Sequence, residues 1–398
     1  MLAGLSWRLL KEVSPKILWK TAYNFCYKNM LNMHAFERRW NNGQPFFPAF
    51  MILSLTSKCN LSCQGCWVAP EKEQQLPLTL VSNIIEQCRA KGSYYFGLVG
   101  GEPLLYPHLF RLLKRYPDCY FQLFTNGTYL TGSVARKIRK LGNVTPLLSI
   151  EGLAEVSDSR RGGKKVYNAA IKALQNCKKA RLFTGVAASI CQSNFAELVN
   201  RKFVRDMIKR GAHYLWYYIY RPVGPRPHPE LALRREQILE LRRFIVDTRL
   251  SEPIAIIDAY WDAAGNAVCP GAMGLSHHVS PEGHLEFCPP LQMACEKLDD
   301  GRDFTEKIQN SRFLADLRQR VSRQTRGCIL LNDPQLLHRW LKDELHADDS
   351  SGRSSAYAEL ERMQVVVCHH LPGHEIPEKS WLYRLAKKYY FFGFGAYG

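Results

Sequence analysis

Three cysteines in one short stretch carry the strongest chemical signal in the sequence. Cys59, Cys63 and Cys66 follow an apolar run with the spacing C-x3-C-x2-C. Three thiolates from one loop can hold three irons of a [4Fe-4S] cluster and leave the fourth iron free to bind a small molecule. The alternative is a structural zinc site, but zinc usually takes a fourth cysteine or histidine at a regular spacing, and none follows closely. The spacing therefore favours iron-sulfur chemistry at an open iron.

Further residues that could bind a ligand follow later apolar segments. They are Gly100, Gly101, Glu102 and Pro103 after one segment, Asn126 after the next, and Ser149 and Glu151 after a third. Glycines allow a backbone to approach a ligand closely, and the carboxylates and hydroxyl add polar contacts. Each glycine-containing pair taken alone is most often a turn. Their recurrence at the same place after successive segments indicates a shared site.

Short apolar segments alternate with amphipathic helical stretches from about residue 49 to residue 222. The predicted strands are Phe50–Leu55, Tyr95–Val99, Tyr120–Phe124, Pro146–Ile150, Thr184–Ile190 and Tyr214–Tyr220. The predicted helices are Leu80–Ala90, Leu109–Tyr116, Val134–Leu141, Val166–Lys179 and Glu197–Arg210. This alternation predicts an α/β fold with a parallel sheet, in the form of a partial (β/α)6 TIM-type barrel. In such folds the chemistry lies at the carboxyl ends of the strands, where the residues above fall.

The order of these motifs resembles the radical S-adenosylmethionine (radical SAM) superfamily over about residues 49–250. The resemblance implies that Cys59, Cys63 and Cys66 are the catalytic cluster ligands and that SAM chelates the open iron through its amino and carboxylate groups. One electron, supplied by a donor such as flavodoxin or ferredoxin, would cleave SAM to a 5′-deoxyadenosyl radical. That radical would abstract hydrogen from an unactivated C–H bond of the substrate.

The same resemblance implies a SAM pocket. Gly100–Pro103 would cradle the methionine amino group, with Glu102 or nearby backbone carbonyls accepting its hydrogens. The candidates for ribose and methionine contacts are Asn126, Ser149 and Glu151. Residues 158–162 resemble the D-x-x-R-G segment of the family, whose arginine, here Arg161, can pair with the SAM carboxylate through two hydrogen bonds.

One position departs from the family pattern. Members commonly have an aromatic residue just before the third cysteine, near the adenine, and this chain has Gly65 there. Trp67, on the other side of Cys66, either replaces that ring or belongs to the core. The C-x-G-C-W form resembles a subgroup of largely uncharacterised bacterial radical SAM proteins, which implies a fold and a cofactor but no substrate.

Residues 251–335 depart from the alternation and resemble the small α+β extension called SPASM, or its shorter form, twitch. A hairpin turning at residues 281–283 would bring cysteines together around a second, auxiliary iron-sulfur cluster. Its ligands would be Cys269, Cys288 and Cys328, with Cys295 as the fourth. A full SPASM domain needs more cysteines than the five in residues 251–398, so one auxiliary cluster is expected. A structural zinc site or plain buried thiols are the alternatives.

The number of ligands at the auxiliary cluster bears on its role. Three ligands would leave an open iron for a substrate heteroatom, whereas four would make the cluster an electron relay. Cys368 lies in a Cys-His-His stretch at residues 368–370 that we interpret as a loop, because no strong metal-ligand spacing surrounds it.

Both ends of the chain are basic and rich in aromatic residues. Residues 1–48 predict a basic amphipathic helical segment, and residues 336–398 predict a helical tail with a basic, aromatic end. The N-terminal apolar face comprises Trp19, Tyr23, Cys26, Met30 and Met33, beside Lys16, Lys20 and Lys28 on another face. The C-terminal set comprises Trp381, Leu382, Leu385, Tyr389 and Phe392, with Arg384, Lys387 and Lys388. Such helices either pack across a domain or lie in a membrane interface.

Composition limits the class of protein. The 398 residues include 54 basic and 36 acidic side chains, and the formal net charge of +18 would attract an acidic peptide, nucleic acid or an anionic membrane surface. No run of 18 apolar residues predicts a membrane span, and no clean signal peptide is present. The expected location is the cytoplasm, with peripheral binding at the inner face of the membrane as an additional hypothesis. Thirteen cysteines then indicate thiols and metal ligands rather than disulfides.

The sequence thus predicts a radical SAM enzyme acting on a bulky organic substrate. A membrane lipid or its precursor is the favoured substrate, because inert C–H bonds call for radical chemistry and the termini suit a membrane face. A maturase acting on ribosomal peptides or proteins is the alternative, and a non-catalytic iron-sulfur scaffold is a third. Nucleic acid is an unlikely substrate, because no nucleic-acid-binding module accompanies the positive charge.

Overall fold

The central element is a mostly parallel sheet that curves into an incomplete barrel. The computed structural model describes residues 2–69, 71–258 and 260–389. Eight strands run parallel in the spatial order β8-β1-β2-β3-β4-β5-β6-β7. They are β1 (Phe50–Thr56), β2 (Tyr95–Gly100), β3 (Tyr120–Thr125), β4 (Val144–Ser149), β5 (Gly185–Ile190), β6 (Tyr214–Ile219), β7 (Ala255–Asp258) and β8 (Ser276–Val279). Among these described strands β7 and β8 lie at opposite edges and do not pair, so the barrel is open, as predicted.

Helices cover the outside of the sheet. The N-terminal helices are α1 (Leu2–Glu12), α2 (Pro15–Lys20) and α3 (Lys28–Asn41), and the π-helical segment Thr21–Tyr27 joins α2 to α3. The barrel helices are α4 (Leu78–Ala90), α5 (Leu109–Arg115), α6 (Gly132–Leu141), α7 (Ala154–Arg161), α8 (Val166–Lys179), α9 (Phe195–Leu198), α10 (Arg201–Arg210) and α11 (Arg235–Ser251). All seven residues of β1 are buried, which is typical of a parallel strand covered on both faces.

The predicted helix over residues 197–210 is two helices. Asn200 begins α10, because its side-chain oxygen accepts a hydrogen bond from the Phe203 N–H at 2.9 Å. Val199 leaves the helical conformation just before it. A capping asparagine inside an amphipathic pattern is thus enough to divide one predicted helix.

The C-terminal region extends the same sheet before forming its own layer. β8 pairs with β1 and then turns at residues 281–283, as predicted, into the antiparallel strand β9 (His284–Glu286). The remaining strands are β10 (Met293–Ala294), β11 (Glu296–Lys297) and β12 (Asp348–Asp349). The remaining helices are α12 (Phe304–Asn310), α13 (Arg312–Gln324), α14 (Ile329–Asn332), α15 (Pro334–Arg339), α16 (Ala356–Glu361) and α17 (Trp381–Tyr389), with a π-helical turn at Trp340–Glu344. β7 and β8, which follow residue 250, therefore belong to the main sheet.

The N-terminal helix from Pro15 to Asn41 lies across the amino ends of the strands. Asn24 donates to the Pro117 carbonyl at 3.0 Å, and Asn32 donates to the Ala49 carbonyl at 2.5 Å, while Phe25, Met33 and Phe36 pack on the barrel beside them. The apolar face is turned outward, since Trp19, Tyr23 and Tyr27 are 67%, 44% and 48% exposed. Met33 is the buried member of the predicted apolar face.

A buried charge network ties the C-terminal tail to the barrel edge. Arg249 bridges Asp258 of β7 at 2.6 Å and Glu378 at 2.5 Å, and Lys387 of α17 lies 3.3 Å from the other Asp258 oxygen. Trp381 and Leu385 of α17 are exposed, whereas Tyr383 and Lys387 are buried, and Phe392 lies outside the described residues. Over the part of the chain that the structure describes, every helix is too short or too polar to traverse a bilayer.

Candidate active site

The cysteine loop leaves the carboxyl end of β1 and is held by its neighbours. The Gly101 N–H donates to the Thr56 carbonyl at 2.7 Å, and the Glu102 N–H donates to the Lys58 carbonyl at 2.8 Å. These two bonds join the loop after β2 to the residues just before Cys59. The second motif therefore positions the first.

The two glycines of that motif are required by this contact. A Cβ added at Gly100 would lie 2.3 Å from the Thr56 carbonyl oxygen, and one added at Gly101 would lie 2.2 Å from that of Lys58. Gly100 also has φ of +128°, a conformation that side-chain-bearing residues rarely adopt. Both glycines line the cavity described below. They bring the two loops into backbone contact as well as facing the cavity.

Glu102 is fully buried and directed into the protein. Its carboxylate accepts hydrogen bonds from the Thr125 hydroxyl at 2.7 Å, the Asn126 N–H at 2.8 Å and the Leu104 N–H at 3.1 Å. Burial raises the pKa of Glu102, while these donors favour its ionised form. Neither Glu102 nor Pro103 lines the cavity. Glu102 instead fixes the loop after β3 through its hydrogen bonds with Thr125 and Asn126.

Asn126, fixed in this way, connects the third strand to the cysteine loop. Its side-chain N–H donates to the side-chain oxygen of Asn60 at 2.9 Å, and Asn60 follows Cys59 directly. Asn126 lines the cavity, and so do Ser149 and Glu151 after β4. One Glu151 oxygen accepts the Ser189 N–H at 2.9 Å, which fixes this carboxylate against β5.

Arg161 lies beside the cysteine thiols. Its guanidinium donates to the Cys63 sulfur at 3.4 Å, and its buried Nε has no hydrogen-bond partner among the described residues. Although burial alone lowers the pKa of Arg161, the nearby Cys63 and Glu151 raise it above its ordinary value. A fixed positive charge with an unused donor suits an anionic group in the cavity.

The three thiols are grouped in one loop. Burial raises the pKa of Cys66 to about 12 and that of Cys59 above its ordinary value, so both are neutral without a metal. Cys63 lies close enough to raise both values further. Within the described ranges, no set of three or more His, Cys, Asp or Glu side chains is gathered tightly enough for a single metal ion.

The departure at Gly65 has a structural explanation. A Cβ at Gly65 would lie 2.4 Å from the ring of Tyr220, which ends β6, so an aromatic ring from another strand covers the position before Cys66. The Arg160 guanidinium lies over the same ring, 4.5 Å from its centre. Trp67 also lines the cavity, and its indole N–H is buried without a partner in the structure. The position of Tyr220 at the end of the predicted strand Tyr214–Tyr220 was the available sequence signal.

The loop after β6 completes the wall. A Cβ at Gly224 would lie 2.3 Å from the Cys66 carbonyl oxygen, and the Gly65 N–H donates to the Arg226 carbonyl at 2.9 Å. Likewise, Gly162 at the end of α7 packs within 2.3 Å of the Ser62 carbonyl oxygen, measured from an added Cβ. The cysteine loop is thus enclosed by the loops after β2, β4 and β6.

These residues surround one open cavity at the carboxyl ends of the strands. Cys59, Cys63 and Cys66 lie on one side of it, with Asn126, Glu151 and Arg161 around them. The remaining wall is largely apolar and aromatic. It includes Ile52, Val68, Val99, Phe124, Tyr218, Val223, Pro289 and Pro290. The cavity combines sulfur donors, a carboxylate and a cation with apolar walls.

A second group of thiols lies behind that wall. Burial raises the pKa of Cys269 to about 11 and that of Cys288 well above its ordinary value, and the nearby Cys328 raises both further. Arg221, which lines the cavity, lies near Cys328, and that thiol helps to raise the pKa of Arg221 against the effect of burial. Cys288 directly precedes the cavity residues Pro289 and Pro290. This arrangement places the second thiol group next to the cavity.

Cys295 does not join these three thiols. It is exposed, donates to the Leu345 carbonyl at 3.5 Å and lies near Glu296 and Asp348. Cys368 is instead the further cysteine beside Cys328. Sequence analysis interpreted the stretch around Cys368 as a loop, which it is, but spacing gave no indication of this contact.

Comparison with known proteins identifies the architecture. Residues 53–191 match the model of the Radical SAM superfamily. The mycofactocin maturase MftC of Mycolicibacterium smegmatis is 30% identical over 299 residues, which cover 68% of this chain and 73% of that protein. The PqqA peptide cyclase of Streptomyces rochei is 29% identical over 257 residues, covering 61% and 69%. SuiB of Streptococcus suis, solved with S-adenosylmethionine, has the same fold with a TM-score of 0.58 at 15% identity over 71% of this chain and 70% of that one.

Other relatives match over a shorter part of their length. The pre-heme d1 synthase of Dinoroseobacter shibae is 28% identical over 185 residues, or 45% of this chain and 46% of that protein. Two more relatives are covered over 38% and 48% of their length. The chain thus spans about half or less of these proteins.

Proposed function

We propose that the open cavity is the site of SAM cleavage, because this chain belongs to the radical SAM superfamily and is a radical SAM enzyme. Membership implies a [4Fe-4S] cluster with SAM, and Cys59, Cys63 and Cys66 are the residues that would hold the cluster. The observation that carries the proposal is that these thiols, Arg161 and Glu151 line the same cavity. A cluster held there would supply, after reduction by a flavodoxin or ferredoxin, the single electron that reductive cleavage of SAM requires, and hydrogen abstraction from the substrate would follow.

The protein's own residues bind and orient the cofactor. Arg161 would pair with the SAM carboxylate through its free Nε–H, and the backbone at Gly100 and Gly101 would receive the amino group. Asn126, Ser149 and Glu151 remain the candidates for ribose and methionine contacts. Glu102 acts through Asn126 as a positioning residue. The apolar wall would exclude water from the radical.

The substrate class that the comparisons favour is a peptide. Two relatives that the chain covers over about 70% of their length are named as a maturase and a peptide cyclase. The match to the first covers 68% of the chain, which is more than residues 1–250, so it extends into the C-terminal region. A cavity that opens at the incomplete side of the barrel can admit one segment of a long chain, and a net charge of +18 favours an acidic one.

A membrane lipid or its precursor is the second candidate. Two observations favour it, namely the apolar cavity wall and the exposed aromatic face of the N-terminal helix. That helix contacts the amino ends of the strands, opposite the cavity, so a membrane bound there would not face the site. The helix face therefore supports peripheral membrane binding of the enzyme more than direct access of a bilayer lipid to the cavity.

The following experiment separates the two substrates. Anaerobically reconstituted enzyme with dithionite and SAM is incubated with peptide and lipid fractions of a cell extract, and 5′-deoxyadenosine is measured against a no-extract control. We expect the peptide fraction to raise its yield severalfold and protease treatment to abolish the increase. Stimulation by the lipid fraction alone would reject the peptide proposal and support the lipid.

The C-terminal region would carry the second cofactor. We assign Cys269, Cys288 and Cys328 to an auxiliary iron-sulfur cluster, since they converge beside the cavity wall with Arg221. Residues 49–250 would form the catalytic unit, residues 251–335 the auxiliary-cluster unit, and residues 1–48 and 336–398 the helical ends. The location of this cluster suits electron exchange with the substrate site.

A further inference from the structure

The segment that carries Cys368 is fixed against the auxiliary thiols by three hydrogen bonds. The His369 ring donates to the Val268 carbonyl at 3.1 Å, and Val268 directly precedes Cys269. The His370 ring contacts the Thr325 hydroxyl at 3.2 Å, and the Val366 N–H donates to the Leu331 carbonyl at 3.1 Å. Residues on both sides of Cys368 are therefore bonded to residues near Cys269 and Cys328.

The Cys328 loop is fixed from its other side. The Arg326 side chain donates to the Ala267 carbonyl at 3.0 Å, two residues before Cys269. Gly327 packs against the Cys368 sulfur, which would lie 2.7 Å from a Cβ added there. The three segments around Cys269, Cys328 and Cys368 thus contact one another in pairs.

The sulfur atoms of this group lie in surroundings that suit thiolate ligands. The His370 N–H donates to the Cys368 sulfur at 3.4 Å. The Arg221 guanidinium adds a positive charge beside Cys328. Backbone N–H donors and a cation both stabilise charge on sulfur, as a metal cluster requires.

Cys295 lacks these features. Its sulfur faces the Leu345 carbonyl and the acidic residues Glu296 and Asp348, which disfavour a thiolate. It is also exposed, whereas Cys328 and Cys368 are buried. The fourth thiol in position is therefore Cys368.

We propose that Cys368 is the fourth ligand of the auxiliary cluster, together with Cys269, Cys288 and Cys328. Four thiolates leave no open iron, so this site transfers electrons and does not bind a substrate heteroatom. The segment around Cys368 then connects the C-terminal tail to the catalytic cavity through the cluster. The inference rests on the proposed auxiliary cluster and deepens it.

The test uses the full chain with Cys59→Ala, Cys63→Ala and Cys66→Ala, so that only the auxiliary site can be loaded. After anaerobic reconstitution this variant should hold about four irons and about four sulfides per chain. Adding Cys368→Ser should lower the iron to about three or fewer, or alter the electron paramagnetic resonance spectrum of the reduced cluster. Adding Cys295→Ser should leave both unchanged.

A substitution at a buried thiol outside the group controls for loss of folding. Cys177→Ser makes the same change at a buried thiol outside the group and should retain the iron, and circular dichroism verifies the fold of each variant. Unchanged iron and an unchanged spectrum in Cys368→Ser, or loss of the cluster in Cys295→Ser, would reject Cys368 while leaving the auxiliary cluster in place. Absence of iron from the triple-alanine variant itself would reject both. SAM cleavage by the wild-type enzyme is measured separately and is independent of this result.

Discussion

Gly65 and Tyr220 illustrate how one residue can take over the place of another from a distant part of the chain. Gly65 has φ of +69°, and the Tyr220 ring occupies the space where its side chain would project. The aromatic surface next to the third cysteine therefore comes from the end of β6. A position that looks incomplete in the sequence is filled in three dimensions.

Gly65→Ala should disturb the cysteine loop through this contact. Because the new methyl group would overlap Tyr220, we expect the variant to lose about four irons per chain after reconstitution. Adding Tyr220→Ala removes the clash and should restore part of the iron. Gly43→Ala is the matched control, since Gly43 has φ of +61° with no atom within 4 Å of an added Cβ. Equal iron loss in the control would mean that backbone strain alone explains the effect.

Arg161→Gln should weaken SAM binding. The guanidinium is the charged donor in the cavity next to Cys63, and loss of a charge-assisted pair costs about 1.5–3 kcal/mol, or roughly tenfold or more in affinity. Equilibrium dialysis of labelled SAM against reconstituted protein measures this. Arg161→Lys should retain part of the affinity, and Arg139→Gln on the exposed side of α6 should retain all of it. An unchanged Kd in Arg161→Gln would remove Arg161 from the pocket.

At the scale of elements, the helix α1 is attached to the barrel by an ion-pair group. Arg8 donates to the Pro253 carbonyl at 2.8 Å and to the Ala212 carbonyl at 2.9 Å, and its guanidinium lies 2.9 Å from Glu12. His213 contacts the same carboxylate at 3.4 Å. Although burial opposes it, these partners lower the pKa of Glu12 to about 2.

The low pKa of Glu12 predicts a pH dependence of stability. A carboxyl whose pKa is depressed on folding stabilises the protein above its ordinary pKa of 4.5, and this contribution is lost as the pH falls towards 2. Glu12→Gln should lower the free energy of unfolding at pH 7 by at most about 3 kcal/mol, and the difference should vanish near pH 2. Urea unfolding of the apo-protein between pH 7 and pH 3 measures it. A difference that stays constant over this range would contradict the assignment.

The exposed aromatic face predicts membrane binding. Trp19, Tyr23 and Tyr27 stack along the helix with ring centres 5.7 Å apart, and Trp and Tyr side chains favour membrane interfaces. The triple substitution Trp19→Ser, Tyr23→Ser, Tyr27→Ser should reduce co-sedimentation with phosphatidylglycerol vesicles severalfold and leave 5′-deoxyadenosine formation unchanged. Tyr129→Ser, Leu153→Ser and Val365→Ser together remove exposed apolar side chains elsewhere and should not reduce it. No binding by the wild-type chain would reject the membrane proposal.

The sequence predicted the strands and helices more completely than the contacts between them. Apolar periodicity located the first six strands to within two residues, because parallel strands buried on both faces are continuous apolar runs. Periodicity also identified the N-terminal helix but could not tell which face would contact the barrel, since the buried face combines Asn24 and Asn32 with Phe25, Met33 and Phe36. The division of the predicted helix at Asn200 depends on the N-cap hydrogen bond of this one side chain, which the amphipathic pattern does not reveal.

At the scale of the whole molecule, the fold places one thiol group in the cavity and a second behind the cavity wall. The first lies in one loop, and its spacing was sufficient to predict the type of site. The second consists of Cys269, Cys288, Cys328 and Cys368, which are far apart in the sequence. Sequence spacing therefore could not distinguish Cys368 from Cys295. That distinction needed the contacts of His369 and Gly327, which depend on how the C-terminal segments fold together.

The most direct test of the central claim is formation of 5′-deoxyadenosine from SAM by the reconstituted, dithionite-reduced enzyme. We predict that the wild-type chain forms it and that Cys59→Ala, Cys63→Ala and Cys66→Ala each abolish it, while Cys295→Ala does not. Retained SAM cleavage in Cys63→Ala would contradict the account.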